Sequence, residues 1–323
     1  MRRRGGPLSA ASLKGWLNLM LRYAVKRLLS SLITLFLVIS LTFFLMQMVP
    51  GGPFLGENVN PKITERLLAK YGYDQPLLVQ YGRYLKALLQ GDMGYSMVVK
   101  SGYTVSEVIL GTFPTSGKLG ALALGVALII GIPLGVFAAM KHGTVFDRSF
   151  IFSSSLFVSI PSFIMTIVLM LVFASWLKLL PVAYLESWKS YILPVAGMAV
   201  YPMFHLGRLT RTTMLDVVSQ DYIITARAKG LSTGKIMFKH ALRNAIIPVI
   251  TSLGPTIAGI MTGSFVVEKV FAIDGMGKYF VNSISSRDYP LIMGTTIFYG
   301  ALLIFCNYVV DLLYGVIDPR IKL

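Results

Sequence analysis

Charge is scarce in this chain. Only 14% of its 323 residues are Asp, Glu, Lys or Arg, against about 25% in a soluble globular domain. An ordinary solvated surface is therefore excluded. Cysteine is scarcer still: the one thiol, Cys306, sits inside an apolar run, so neither an intrachain disulfide nor a cysteine-based metal site can form. The histidines, His142, His205 and His240, are far apart and make no His-Glu-x-x-His zinc helix. No Gly-x-x-x-x-Gly-Lys-Ser/Thr occurs, because Gly234-Lys235 is followed by Ile236 and Gly277-Lys278 by Tyr279. Without that phosphate-cradling loop there is no P-loop NTPase site. Nor is there a Gly-x-Ser-x-Gly elbow, and Ser264 and His205 lack any motif that would make them an intramembrane protease pair. Catalysis has no carrier in this sequence.

Apolar residues dominate what is present. They make up 55% of the chain, the mean hydropathy is +0.69, and they come in blocks of about 20, the length that crosses a hydrocarbon core of ~30 Å. Six blocks stand out, at 28–49, 119–140, 150–177, 192–207, 245–267 and 290–317. The fourth is short and interrupted by Pro194 and Pro202. The first follows a cationic start and is too long for a signal h-region, so it is expected to stay as a retained span. The fold class expected is an all-α integral membrane protein with six transmembrane helices.

Six spans put both termini on one side, and charge selects the side. Segments 1–27, 141–149, 208–244 and 318–323 hold 18 Lys/Arg, whereas 178–191 and 268–289 hold 5. The long 50–114 segment is discounted, as the positive-inside rule requires. Both termini are expected in the cytoplasm, with 50–114 outside as a small polar cap. The net charge of +16 then belongs to membrane topology and not to nucleic acid, because the positives lie between apolar blocks.

The cap carries helix signals. Asn60-Pro61 opens one helix that Gly72 stops; Pro76 opens another, with Leu77, Leu78, Tyr81, Tyr84, Leu85 and Leu88 on one face and Gly91 after its end. Thr104-Val105-Ser106-Glu107 fits a capping box. These helices read as amphipathic and too polar to span. Span interiors carry almost no ionisable residue: Asp311 lies near the end of the last and Lys118 before the second. A proton- or ion-driven carrier usually needs such groups, so energy is expected from outside the chain, although backbone carbonyls can bind sodium.

The segment 208–244 is the most informative. Ser219 can cap a short helix running to about Lys229; Gly230 stands where a left-handed residue ends a helix; Ser232 can cap a second helix with Ile236, Met237 and His240 on one side. The two form an elbow toward the cytoplasm, or else an amphipathic loop lying on anionic lipid. Elsewhere, Ser155, Ser159 and Ser162 cluster around Pro161, Ser252, Thr256, Gly259 and Gly263 lie along one side of the fifth block, and Gly131 and Gly135 repeat a small-x-x-x-small spacing. Such faces serve close helix packing or line a pore.

Asp221-Tyr222-Ile223-Ile224-Thr225-Ala226-Arg227-Ala228-Lys229-Gly230-Leu231-Ser232 resembles the cytoplasmic loop signature of ABC importer permeases, in the form used by the oligopeptide, dipeptide and nickel branch. Ala226, Gly230 and Leu242 match the general pattern, while Ile224, Thr225, His240 and Arg243 depart from it. Leu21-Arg22-Tyr23 resembles that family's beginning, leaving 1–19 as an extension or a misassigned start. Gly91-Asp92-Met93-Gly94-Tyr95-Ser96 and Arg287-Asp288-Tyr289-Pro290 resemble its outer elements, and Asp318-Pro319-Arg320-Ile321 the ending of the first of its two permease subunits. Asp274-Gly275-Met276-Gly277 replaces the family's Pro-Gly-x-Gly.

The resemblance implies a type I importer permease fold in a bacterial or archaeal plasma membrane. It implies four kinds of partner: a second homologous permease, two cytoplasmic ATPases that carry ATP and magnesium, an extracytoplasmic solute-binding protein, and lipid. No cofactor would be held by the chain itself. Ala226, Gly230, Leu231, Ser232 and Lys235 would belong to the element that docks on an ATPase. Peptides are the expected cargo, with nickel, glutathione or an oligosaccharide open. A self-contained carrier or channel is the alternative, and a membrane scaffold a more distant one.

Overall fold

The structure, a computed structural model, describes residues 10–48, 75–262 and 265–317. The expected helix between Asn60 and Gly72 and the 318–323 tail lie outside the described residues. Helix α1 spans Ala10–Met48 and α2 Leu77–Leu89. Phe43 and Phe44 of α1 pack against Tyr81 of α2 with ring centroids 5.2 and 5.1 Å apart, so the expected amphipathic helix uses its aromatic face on the first span.

The capping box is present, but it does not open a separate cap helix. Thr104 Oγ1 accepts from the Glu107 N–H (3.1 Å), and the Thr104 N–H donates to Glu107 Oε2 (2.8 Å). The helix it starts is α3, Val105–Met140, 36 residues without a break. The boundary expected near 114 therefore falls inside a helix. Pro114 lies inside this helix and removes the N–H that would bond the Leu110 carbonyl, yet the helix continues past it.

The third apolar block is broken. Helix α4, Val145–Ser159, and α5, Ser162–Leu169 with its π-helical continuation Met170–Trp176, meet at 102°. Pro161 forces the break, since the residue before proline is driven out of the α region, and Ile160 sits at φ −86°, ψ 122°. Helix α6 is Ile192–Val218, longer than the expected block because it continues through Arg208 and Arg211. Helix α7 is Asp221–Ala228. A helical turn at Thr233–Lys235 and a π-helical turn at Ile236–Ala241 lead into α8, Leu242–Thr251. Then come α9, Leu253–Thr262, α10, Phe265–Val270, α11, Met276–Ser285, and α12, Tyr289–Ile317.

Contacts fix the direction of each apolar segment. Gly131 meets Met203 and Gly135 meets Gly207, so α3 and α6 run parallel. A Cβ on either α3 glycine would collide with a carbonyl oxygen of α6, so these backbones touch. Phe150 stacks near Phe204, whereas Gly197 abuts Thr166, so the bent α4–α5 segment runs antiparallel to α6. Val249 packs beside Ala127 and Ile260 beside Leu119, which makes α8–α9 antiparallel to α3. Val105 meets Gly294 and Phe113 meets Phe298, so α12 is parallel to α3; Arg27 reaches Asp311 (3.1 Å) and Val38 lies against Gly300, so α1 is antiparallel to α12. In chain order α1, α3, the α4–α5 segment, α6, the α8–α9 segment and α12 thus alternate in direction. By length and composition alone, 20–48, 105–140 and 289–313 qualify as unbroken spans, and the bent pairs 145–176 and 233–270 qualify as broken ones. Large exposed apolar side chains such as Leu29, Leu37, Ile129 and Phe305 cover the outer faces, as a lipid solvent demands. No strand occurs among the described residues.

Candidate transport site and coupling elbow

A cavity of about 660 Å³ opens where α4, α5, α6, α8 and α9 converge. Prolines shape it. Pro161 breaks the α4–α5 segment, and Pro202 and Pro255 remove the N–H groups that would close on the Met198 and Thr251 carbonyls. Of the small residues singled out in the sequence, Ser159, Ser162, Ser252, Thr256 and Gly259 line this cavity. Ser155 lies one turn before Ser159 and accepts its hydroxyl at the backbone carbonyl (2.8 Å). Gly263 lies outside the described residues. Gly131 and Gly135 sit at the α3–α6 contact, whereas Ser159, Ser162, Ser252 and Thr256 line the cavity. Tyr201 and His205, which the reading of small residues passed over, stand on the same wall with rings stacked and centroids 5.9 Å apart. Their i, i+4 spacing was the only available signal.

The elbow hangs from the same helix. Ser219 does not start α7: it ends α6, its hydroxyl donating to the Asp216 carbonyl (2.8 Å), and Gln220 takes the N-cap position with extended backbone. The reason is that α6 continues beyond its apolar part, which moves the boundary one residue on. At the other end of α7 the Gly230 N–H donates to Arg227 O (2.9 Å) and the Leu231 N–H to Ala226 O (3.3 Å), with Gly230 at φ +74°. This pair of bonds is the Schellman termination, and it needs a left-handed residue at that position. Ser232 follows in extended conformation as the expected N-cap position, though its side chain makes no capping bond.

One face of the elbow is buried. Ile223, Ala226, Ile236, Met237 and Ala241 pack against Val136 and Ala139 of α3 and Met214 of α6, with Leu231 at the edge. Asn244 Nδ2 donates to Tyr222 Oη (2.7 Å), tying α7 to α8. The opposite face is open: Ile224 and Phe238 are 57% and 60% exposed, and Arg227, Lys229, Ser232 and Lys235 point to solvent. His240, expected beside Ile236 and Met237, is half-buried.

Buried charge organises both ends of the bundle. At the elbow end Asp147, 1% exposed, accepts from Arg211 Nη2 (2.8 Å) and Nε, from the Gly143 N–H (2.9 Å), and bonds His142 Nδ1 (3.1 Å). At the other end Asp288 is fully buried and accepts from Ser96 Oγ (2.6 Å) and from the N–H groups of Met97, Val98 and Val99 (3.1, 3.0 and 3.0 Å). Glu268, also fully buried, accepts from Ser116 Oγ (2.6 Å) and from the Gly277 N–H (3.0 Å) at the start of α11. A Cβ on Gly275 would strike that carboxylate, which explains the glycine in the departed Asp-Gly-Met-Gly turn. No cluster of three or more potential metal ligands occurs among the described residues.

Residues 131–323 match the family described as binding-protein-dependent transport system inner membrane component, and residues 20–116 match its N-terminal counterpart. The dipeptide transport system permease protein of Bacillus subtilis is 48% identical over 305 residues, covering 94% of this chain and 99% of that one. The oligopeptide transport system permease protein of Salmonella typhimurium is 41% identical over 309 residues, covering 94% and 100%. Among solved structures, an inward-facing form of the MetNI methionine ABC transporter superimposes with a TM-score of 0.53 at 14% identity, covering 65% of this chain and 96% of that chain, which shows a shared importer permease fold. With the fold, the alternating apolar segments and both family matches in agreement, this chain belongs to the binding-protein-dependent transport system inner membrane component family.

Proposed function

We propose that this chain is one of two permease subunits of an ATP-driven peptide importer, crossing the membrane six times with both termini in the cytoplasm. Peptides are the cargo favoured by the named relatives, which are dipeptide and oligopeptide permeases. In this reading an extracytoplasmic binding protein delivers the peptide to the face carrying α11 and the Asp288 site. The peptide passes the cavity lined by Ser159, Ser162, Ser252, Thr256 and Gly259, with Ser155 and Gly263 on the same two segments. Two cytoplasmic ATPases hold ATP and magnesium, and one grips the exposed face of the elbow around Ala226, Gly230, Leu231, Ser232 and Lys235. The 18 Lys/Arg on the elbow side support that side as cytoplasmic.

One observation carries this assignment: α6 lines the cavity with Tyr201 and His205 and passes directly into the elbow at Ser219. A force on the elbow therefore reaches the cavity wall through a single helix. The test is co-purification. The complete assembly is expected to retain two ATPases and to take up labelled dipeptide with ATP, and both properties should vanish when 221–235 is replaced by a Gly/Ser linker. Peptide transport by the purified chain alone would instead establish a self-contained carrier.

A further inference from the structure

We propose that Arg208 forms a charge filter on the way out of the cavity, passing anionic cargo faster than cationic cargo. This rests on the peptide-import reading above and concerns the side chains a peptide meets in transit. The cavity wall carries no Lys, Arg, Asp or Glu among the described residues, and His205 is its one imidazole. Its ring nitrogens have no hydrogen-bond partner among the described residues, and stacking on Tyr201 fixes the plane of the ring. Three of the hydroxyls around it are already committed as donors: Ser159 to Ser155 O (2.8 Å), Ser252 to Val249 O (2.8 Å) and Thr256 to Ser252 O (2.6 Å). They present acceptor oxygens to the space, a surface that suits backbone N–H groups of any peptide and reads no particular side chain.

Discrimination must then come from charge. Arg208 stands one turn beyond His205 toward the elbow, on the same stripe of α6. It is exposed and makes no ion pair among the described residues. The next arginine, Arg211, is neutralised by Asp147. Arg208 is thus the first uncompensated charge along α6 below the cavity. A carboxylate leaving this way is drawn toward it, and an ammonium is opposed. In a wet passage a unit charge passing another at close range changes a rate by about fivefold.

The experiment uses the complete transporter in proteoliposomes, with saturating loaded binding protein so that capture does not limit the rate. Alanyl-alanine, alanyl-glutamate and alanyl-lysine are the probes, and the readout is the ratio of maximal uptake rates, alanyl-glutamate over alanyl-lysine. These two probes differ by two units of charge, so at about fivefold per unit the wild-type ratio is expected at about 25, with R208K keeping it, R208Q bringing it toward one and R208E inverting it. Alanyl-alanine uptake checks assembly. Arg208 is exposed, so its variants are expected to assemble. A ratio unmoved in R208Q and R208E while alanyl-alanine still enters overturns the filter alone. If the wild-type assembly carries none of the three peptides, the filter falls together with the peptide reading.

Discussion

Gly230 offers a graded test of how the elbow works. Its φ of +74° is a left-handed conformation, and a Cβ built there meets nothing within 4 Å. A side chain would therefore cost only backbone strain, with no collision to confuse the result. For an L-residue that strain is about 1–2 kcal/mol; Asn tolerates it best and a β-branched residue worst. The Schellman bonds from Gly230 and Leu231 depend on that φ, and through Leu231 and Ala226 they seat the elbow on Val136, Ala139 and Met214. Strain of about 1.4 kcal/mol shifts the seated population about tenfold. We expect Gly230→Asn to retain transport within about threefold, Gly230→Ala to lose several-fold, and Gly230→Val to lose about tenfold or more. All three should insert normally, since nothing in a membrane span changes. The assay is ATP hydrolysis stimulated by loaded binding protein, measured beside peptide uptake in the same proteoliposomes; in the Val variant hydrolysis should continue while uptake falls. Wild-type uptake with Gly230→Val would refute the elbow as the coupling element. Equal loss with Asn and Val would refute the backbone explanation and point to a partner surface that touches Gly230 itself.

Asp288→Ala should strip the acceptor from three backbone N–H groups and the Ser96 hydroxyl, destabilising the outer segment by about 3 kcal/mol or more; a lower melting temperature in detergent and a new protease cut between 92 and 103 would report it. Asp288→Asn, which keeps one acceptor oxygen, should lose roughly half as much. Arg211→Ala leaves Asp147 buried without its cation, a change that costs about 3–5 kcal/mol, whereas the double variant Asp147→Asn, Arg211→Gln should recover much of the loss. Equal melting temperatures for the single and double variants would show that the pair contributes no specific interaction.

Hydropathy made α1, α3 and α12 legible, because continuous apolar runs need only length to declare themselves. The same measure concealed the 102° break between α4 and α5: residues on both sides of Pro161 are apolar, and a window average has no term for direction. It also ended the fourth block at 207, where charge begins, although α6 extends to Val218 by packing its far turns on the elbow. The elbow glycine was readable because its requirement is local. Asp147, Glu268 and Asp288 were not, since their partners lie 64, 152 and 192 residues away and the burial of a carboxylate depends entirely on them. His205 escaped as a site residue because its neighbours come from three separate segments. The serines near Pro161 were readable as a cluster, but only the fold decides that they face a cavity while Gly131 and Gly135 face a helix.

The Gly131–Met203 and Gly135–Gly207 contacts hold α6 against α3 over one turn, so any rocking of α6 would take place about that turn. Two backbones that touch with no side chain between them can tilt about that point but cannot separate without opening a void. From Gly207 to Val218 the helix extends ~16 Å on one side, and from Gly207 to Tyr201 ~9 Å on the other, at 1.5 Å rise per residue. A tilt of ~10° about the pivot would move the elbow by ~3 Å and Tyr201 by about half as much in the opposite sense. Arg211 lies on the elbow side of the pivot, so its grip on Asp147 would draw the start of α4 along with the stroke. On the import reading proposed above, a larger excursion at the elbow would thus become a smaller one at the wall of the cavity.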